Sequence, residues 1–312
     1  MRQEVELPKD ASGRLDRALA DLLGLGRAAV KRAFAEGKVR VLGRRARASD
    51  QALPGLSLTV EVDGPQGPPL PQGEMPLVVL AETARALIVD KPAGVAVHPL
   101  TLGETGTLAN AVAARYPECR DASPASREGG AVHRLDLETS GCVAFARDRE
   151  AWEELRGELK GKGAKKRYLA LAVGRLESGG SCLVPLAQRG GRVFPAKDGL
   201  AVDRLEGKGF RPRPAETRYE VARRFRDHTL VEVELVTGVM HQIRAHLAYL
   251  GHPVAGDLLY GGEAARVPLL GRHFLHAAHL ALLGPGDERI EAVSPLPADL
   301  EAVLRTLPTA PP

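Results

Sequence analysis

Aromatic residues are scarce: Phe, Tyr and Trp make up 4% of the 312-residue chain, with a single tryptophan. No broad base-stacking platform of the kind that single-strand-binding sheets use is advertised. Cysteine is scarcer still. Cys119, Cys142 and Cys182 are odd in number and far apart, which argues against a disulfide framework or a cysteine-built zinc site and suits a reducing compartment. No apolar run approaches the length needed to cross a bilayer, and the opening MRQEVELPKD has no apolar signal core. The expectation is a soluble, cytoplasmic chain without a membrane partner. At 44% hydrophobic content it is long enough for one large domain and one small one.

Charge is present but unevenly placed. The chain carries a net +4. Between residues 27 and 47, Arg27, Lys31, Arg32, Lys38, Arg40, Arg44, Arg45 and Arg47 face Glu36 alone, so that segment is +7 and the remainder is net negative. Around it, Leu15, Leu19, Leu22 and Leu23 fall on one helical face, and Gly24-Leu25-Gly26 interrupts the pattern. A second helix carries Val30, Ala33 and Phe34 and ends at Gly37. Lys38–Val41 alternates as a strand, Leu42-Gly43 turns, and Leu58, Val60 and Val62 close the unit. Two short helices and a small sheet would present Arg27, Lys31, Arg32, Lys38, Arg40, Arg44 and Arg45 to phosphates. On charge density alone, a solvated basic face is an equally good reading.

GPQGPPLPQG, residues 64–73, reads as a semi-stiff linker. The divisions expected are therefore 1–63, a linker at 64–75, and a large domain over 76–312. In the large domain, residues 77–80 and 87–89 are short apolar strands. Leu108, Val112 and Tyr116 mark one helix; Trp152, Leu155 and Leu159 mark another, with Asp148 as its cap. Residues 167–173, 217–221, 228–236 and 290–293 read as strands, and Ile243, Leu247 and Leu250 as a helical stripe ended by Gly251. Leu300, Leu304 and Leu307 mark a final helix. Strands with scattered helices, without a βαβ rhythm, predict an α+β domain on a mixed, mostly antiparallel sheet.

The chemistry concentrates in HRLDLETSG, residues 133–141, where His133, Arg134, Asp136 and Glu138 sit between two stretches that look buried. Asp136, expected at a strand end before the turn-forming Thr139-Ser140-Gly141, could serve as nucleophile, general base or metal ligand. Taken alone, HRLD is more often an Arg134–Asp136 ion pair at a sheet edge.

Five further stretches change that reading: DKPAGVAVHP (90–99), KKRYLALAVG (165–174), TGVMHQIRAHL (237–247), GDLLYGG (256–262) and RHFLHAAHL (272–280). In this order and spacing they resemble the RluA-type pseudouridine synthases, over residues 76–308. In front of them, RLDRALADLLGLGRAAVKRAFAEGKVRVLG resembles the S-four RNA-binding domain over residues 14–62, with Gly26 where a Ser cap is common and Leu42 where Asn is common. The resemblance implies an RNA-modifying isomerase that needs neither cofactor nor metal. Such an enzyme cleaves the bond between uracil and ribose, turns the base and rejoins it through carbon.

Residue by residue, the resemblance makes Asp136 the catalytic carboxylate and Arg244 its charge partner, keeping it ionised in a sealed pocket. It makes Tyr168 the tyrosine that packs on the base and takes its carbon-bound proton. Base flipping is implied, with Arg134 helping to fill the vacated space. His133 is expected to support the loop rather than to titrate. Gly238-Val239-Met240 departs from the basic or polar residue common before HQIR, and residues 190–214 look longer than the family norm.

The expected substrate is structured RNA, most simply large-subunit ribosomal RNA, with no protein partner inferable and a monomeric chain. Transfer RNA as substrate, or a non-catalytic RNA-binding or assembly factor of the same fold, are the alternatives. The spacing of His273, His276 and His279 raises a metal-dependent hydrolase as a further rival. Alternation on a strand would turn His273 and His276 apart, and the stretch holds no other ligand.

Overall fold

The computed structural model describes residues 2–310 except 24, 62–66, 101–102, 162, 190, 197–211, 285 and 287. Val62, Gly24, the start of the Pro/Gly run and most of the 190–214 stretch therefore lie outside the described residues. The chain divides into two units, residues 1–67 and 68–312.

The first unit contains β1 (Arg2–Glu6), α1 (Leu15–Leu23), α2 (Arg27–Ala35), β2 (Val39–Val41), β3 (Arg44–Arg45) and β4 (Ser57–Glu61). Its antiparallel sheet has the order β1-β4-β2-β3. Leu15, Leu19, Val30, Phe34, Val39 and Val60 fill the space between helices and sheet. Leu22, expected on the same stripe, is exposed near the helix end. The two-residue turn between β2 and β3 places Leu42 at φ 48° and Gly43 at φ 77°. Paired positive φ values suit the mirror-image turns that favour Asn-Gly, so Leu42, 90% exposed, occupies a strained position.

The second unit contains β5 (Val78–Glu82), β6 (Ala86–Lys91), α3 (Leu108–Arg115), β7 (Ser140–Ala146), α4 (Arg149–Lys160), β8 (Lys165–Val173) and β9 (Gly180–Cys182). After these come β10 (Leu186–Arg189), β11 (Arg192–Pro195), β12 (Thr217–Arg224), β13 (His228–Leu235), α5 (Gln242–Tyr249), β14 (Leu275–Leu283), β15 (Arg289–Val293) and α6 (Ala298–Thr306). The main sheet runs β5-β6-β7-β14-β8-β13-β12-β9, with β15 beside β14; β10 and β11 form a separate hairpin. Among the described residues only β7 and β14 pair in parallel. The fold is thus α+β on a mixed, mostly antiparallel sheet.

The centre of the sheet is covered on both faces. Leu87, Val89, Val143 and Phe145 pack in one cluster with Leu108 and Val112 of α3 and with Leu300 and Val303 of α6. Ala86, Ile88, Cys142 and Ala144 pack in another with Ala151 and Leu155 of α4. Every residue of β7 is consequently buried, as expected of a strand without a solvent face. Asp148 caps α4, accepting from Ala151 N at 2.9 Å.

Residues 68–75, expected as linker, are held by the second unit. Asn110 Nδ2 donates to Leu70 O at 2.8 Å, and Gly106 N to Gln72 Oε1 at 2.8 Å. The strand least visible in sequence is β14, because two of its histidines interrupt the apolar pattern. His276 is fully buried, with Nδ1 3.0 Å from Ser140 Oγ and Nε2 3.1 Å from Ser294 O, so its polar atoms are satisfied.

Gly141 marks where β7 meets β14. Its φ is 112°, and a Cβ there would lie 2.2 Å from Ala277 O. Gly141→Ala should therefore cost roughly 3 kcal/mol or more, since the strained φ and a backbone clash act together. Urea unfolding measures it; a change below about 1 kcal/mol would show that the strand pair tolerates separation there.

Candidate active site

The segment before β7 is not a strand ending at Asp136. After an isolated bridge between Ala131 and Phe145, residues 132–139 run as a loop, and Thr139 N closes a turn on Asp136 O at 3.1 Å. Past Val132, whose N still donates to Ala144 O of β7 at 3.0 Å, the sheet does not pair the loop, and side chains from elsewhere anchor it.

Lys91, fully buried at the end of β6, donates to Pro92 O, Val95 O and Leu137 O at 2.9, 2.7 and 2.8 Å. Burial pushes its ammonium down to about 8, which still leaves it charged at neutral pH. Arg272 Nη1 donates to Glu138 O at 2.9 Å while Nε pairs with Asp299 at 2.7 Å. His273 Nε2 lies 2.8 Å from Thr139 Oγ1; burial, helped by the nearby Arg244, lowers that imidazole to about 4. His133 Nε2 accepts from Ala144 N at 3.1 Å, and burial with the Lys166 and Arg156 charges pushes it down to about 3. A neutral, accepting His133 fits its expected supporting role.

Arg244 lies in the first turn of α5 and joins two carboxylates. Nη1 donates to Asp136 Oδ2 at 2.8 Å. Nε and Nη2 donate to Asp257 Oδ2 and Oδ1 at 2.7 and 2.9 Å, a bidentate fork. Burial works against the guanidinium charge, but these two carboxylates outweigh it and raise its pKa. Asp257 is 1% exposed. Burial would raise its pKa, yet the Arg244 hydrogen bonds hold it below the usual carboxylate range. It also accepts from Leu259 N and Tyr260 N at 3.1 and 3.2 Å.

The Arg244 guanidinium carbon sits 5.2 Å from the Tyr260 ring centroid. Tyr260 OH accepts from Val193 N at 3.0 Å and lies 3.0 Å from His241 Nδ1. His241, in a left-handed conformation at φ 53° before α5, places Nε2 3.7 Å from Asp136 Oδ1. Burial holds its pKa below the ordinary imidazole range, favouring the neutral ring.

Asp136, Tyr168, Arg244 and Arg134 all line one cleft of about 670 Å³, a volume typical of small-molecule sites. Tyr168, on β8, is 8% exposed. Burial, and next the Asp136 charge, raise its pKa, so the side chain stays a phenol. Arg134 is exposed at the cleft.

The other expected RNA contacts belong to the first unit. Arg27, Lys31, Arg32, Arg40, Arg44 and Arg45 are exposed there, whereas Lys38 is half-buried and pairs with Glu36 at 2.7 Å. The three spaced histidines do not converge. His273 meets Thr139, His276 meets Ser140, and His279 pairs with Glu291 at 2.7 Å. Among the described residues no group of three metal-ligating side chains exists, and no helix is long and apolar enough to cross a membrane.

Asp257, Tyr260, His241 and Lys91 were assigned no role from sequence, and His273 was weighed there only as a metal ligand. For Asp257 the sequence shows only the neighbouring glycine, and the structure shows why it is there. Asp257 follows Gly256, whose φ is 79° and whose added Cβ would lie 2.1 Å from Arg272 O. A carboxylate beside such a glycine, in a stretch (256–262) without Lys or Arg, has its charge partner elsewhere in the chain.

Residues 85–249 match the RNA pseudouridylate synthase family. A Chloroflexus aurantiacus protein named as an uncharacterized RNA pseudouridine synthase is 38% identical over 302 residues, covering 96% of this chain and 92% of its own. A Xanthomonas campestris protein named ribosomal large subunit pseudouridine synthase D is 37% identical, covering 98% and 92%. In fold, the human RNA pseudouridylate synthase domain containing 1 protein aligns with a TM-score of 0.57 at 24% identity, over 77% of this chain and 99% of its own. The chain belongs to the RNA pseudouridylate synthase family, of RluA type, and is a pseudouridine synthase.

Proposed function

We propose that this protein isomerises selected uridines of large-subunit ribosomal RNA, with Asp136 as the group that acts on the flipped nucleotide. The observation that carries this is the Asp136 carboxylate, held by Arg244 at 2.8 Å and open to a cleft beside Tyr168. The choice of RNA rests on relatives named for the large ribosomal subunit.

The reaction breaks the bond from uracil N1 to ribose C1′ and forms one from C5 to C1′. A proton leaves C5 and N1 ends with one, so no atom is gained or lost. Breaking the first bond develops positive character at the sugar, which a carboxylate stabilises or traps, or it removes the neighbouring proton. Glycosidases usually need a second carboxylate to protonate a departing group; here the base stays and is rejoined. Asp257, the second carboxylate, is committed to Arg244 and to two backbone amides.

A stacked uridine cannot reach Asp136, so the base is flipped. Arg134, exposed at the mouth, fills the space that it leaves. Tyr168 packs on the base. Taking the C5 proton would require its phenol first to pass its own proton on, because burial favours the protonated form.

In the first unit, the exposed cations of α2 and the β2–β3 turn supply sequence-independent phosphate affinity, as an S-four-like module would. Gly26 and Leu42 remove two side-chain donors from its turns, so the weight falls on Arg27, Lys31 and Arg32.

Asp136→Asn should abolish pseudouridine formation on a large-subunit rRNA transcript while RNA binding persists, since shape is kept and nucleophilicity lost. Mapping pseudouridines in transcripts incubated with each protein tests both parts. Turnover by the purified variant would refute Asp136, and wild-type product confined to tRNA would refute the substrate.

Replacing Arg27, Lys31 and Arg32 together with Gln should lower the log–log salt slope of rRNA binding by about two, at roughly 0.7–0.9 per phosphate contact. Filter binding at several salt concentrations measures it. An unchanged slope would make this helix only a solvated face.

A further inference from the structure

The cleft is electrostatically lopsided. Its described lining includes Arg134, Arg156, Lys160, Lys166, Arg213 and Arg244, against Asp136 as the one acidic residue. Arg244 is balanced by Asp136 and Asp257. The cations on the β8 side are not balanced.

Lys166 stands out among them. It is 7% exposed, yet among the described residues it has no carboxylate and no hydrogen-bond partner. Lys91, more deeply buried, donates to three carbonyl oxygens. The Lys166 side chain is buried, but its Nζ is not sealed off: it opens into the cleft, where no described protein group accepts from it, and burial alone lowers its pKa. Its position says what would relieve it.

Lys166 and Tyr168 are two residues apart on β8, both buried between exposed or half-buried neighbours. They therefore share a face of the strand, about 7 Å apart along it. Tyr168 is the residue placed against the target base, so Lys166 lies one nucleotide fragment further along the same wall. α4 ends at Lys160, and β8 starts a few residues later at Lys165. The Arg156 guanidinium, which donates to Val132 O, lies 5.6 Å from the Trp152 ring centroid. That leaves a planar, pre-oriented cation next to the loop and a free-ended Lys160 beside it.

We propose that Lys166, with Arg156 and Lys160, seats the backbone phosphate adjoining the target uridine, an inference that rests on the RNA substrate proposed above. The phosphate supplies acceptor oxygens and a negative charge to a cleft-facing ammonium that no described protein group pairs. Holding the phosphate fixes the register of the strand, so one particular nucleotide is presented to Asp136 and Tyr168. Phosphate contacts position a nucleic acid without reading its sequence.

The test is ethylation interference on a large-subunit rRNA transcript carrying, on average, one ethylated phosphate per molecule. Transcripts bound by the wild-type protein should be depleted of ethylation at a phosphate within one nucleotide of the isomerised uridine. Lys166→Met should lose that depletion and bind unmodified transcript about tenfold more weakly, with the half-saturating RNA concentration rising more than the saturated rate falls. Lys166→Arg should recover the depletion, which a merely misfolded variant could not reproduce. Persistence of the depletion in Lys166→Met, or its absence from the wild type beside the isomerised uridine, would overturn the phosphate seat. A wild-type protein that isomerises no uridine in the transcript would overturn the substrate reading instead.

Discussion

Arg244 is shared by two carboxylates, and the site is organised around that sharing. One edge of its guanidinium is locked by Asp257, itself held by two backbone amides, while the remaining Nη1 points at Asp136. The fork is fully used on the Asp257 side, so the single bond on the Asp136 side has a fixed direction. A lysine could not do this, because it offers a point charge and no planar geometry. The group has three charges in a partly buried space, where electrostatic interactions are stronger than in water. Its net charge is negative, and that negative charge is exposed only at Asp136.

Everything else near the loop limits motion. The turn that carries Asp136 has no sheet pairing of its own, so its carbonyls are gathered by Lys91 at Leu137 O and by Arg272 at Glu138 O, and Thr139 by His273. These anchors come from β6 and from the chain entering β14, on opposite flanks of β7 in the sheet. Burial keeps His133 and His273 neutral, so they act as fixed polar contacts and do not compete with Arg244 as cations. Preorganised groups of this kind need no rearrangement when charge develops.

How much of this was legible in the sequence differs by element. Strands β12 and β13 and helix α4 announced themselves because each has a wetter face and a drier one, while α5, buried almost throughout, was found by the spacing of Ile243, Leu247 and Leu250. β14 did not announce itself, because it is covered on both faces and carries a buried histidine, His276, whose partners, Ser140 and Ser294, lie elsewhere in the chain. Asp136, Tyr168 and Arg244 were found through ordered motifs, and the structure places them in one cleft. Asp257 was in view within GDLLYGG but had no assignable role, since its partner is set by how α5 packs. The same holds for Lys91 and Lys166: burial, which makes a lysine informative, is a tertiary property.

The claim that Arg244 transmits the restraint of Asp257 to Asp136 is tested most directly by a double-mutant cycle on single-turnover pseudouridine formation, using Asp257→Asn, Arg244→Met and the two combined. Asparagine keeps an oxygen for the Leu259 and Tyr260 amides while removing half of the fork. Asp257→Asn should slow the reaction about tenfold or more, roughly 1.4 kcal/mol of barrier. The double variant should be no slower than Arg244→Met alone within about twofold, roughly 0.4 kcal/mol. Losses that multiply, or a near-normal rate in Asp257→Asn, would show that Asp257 does not act through Arg244.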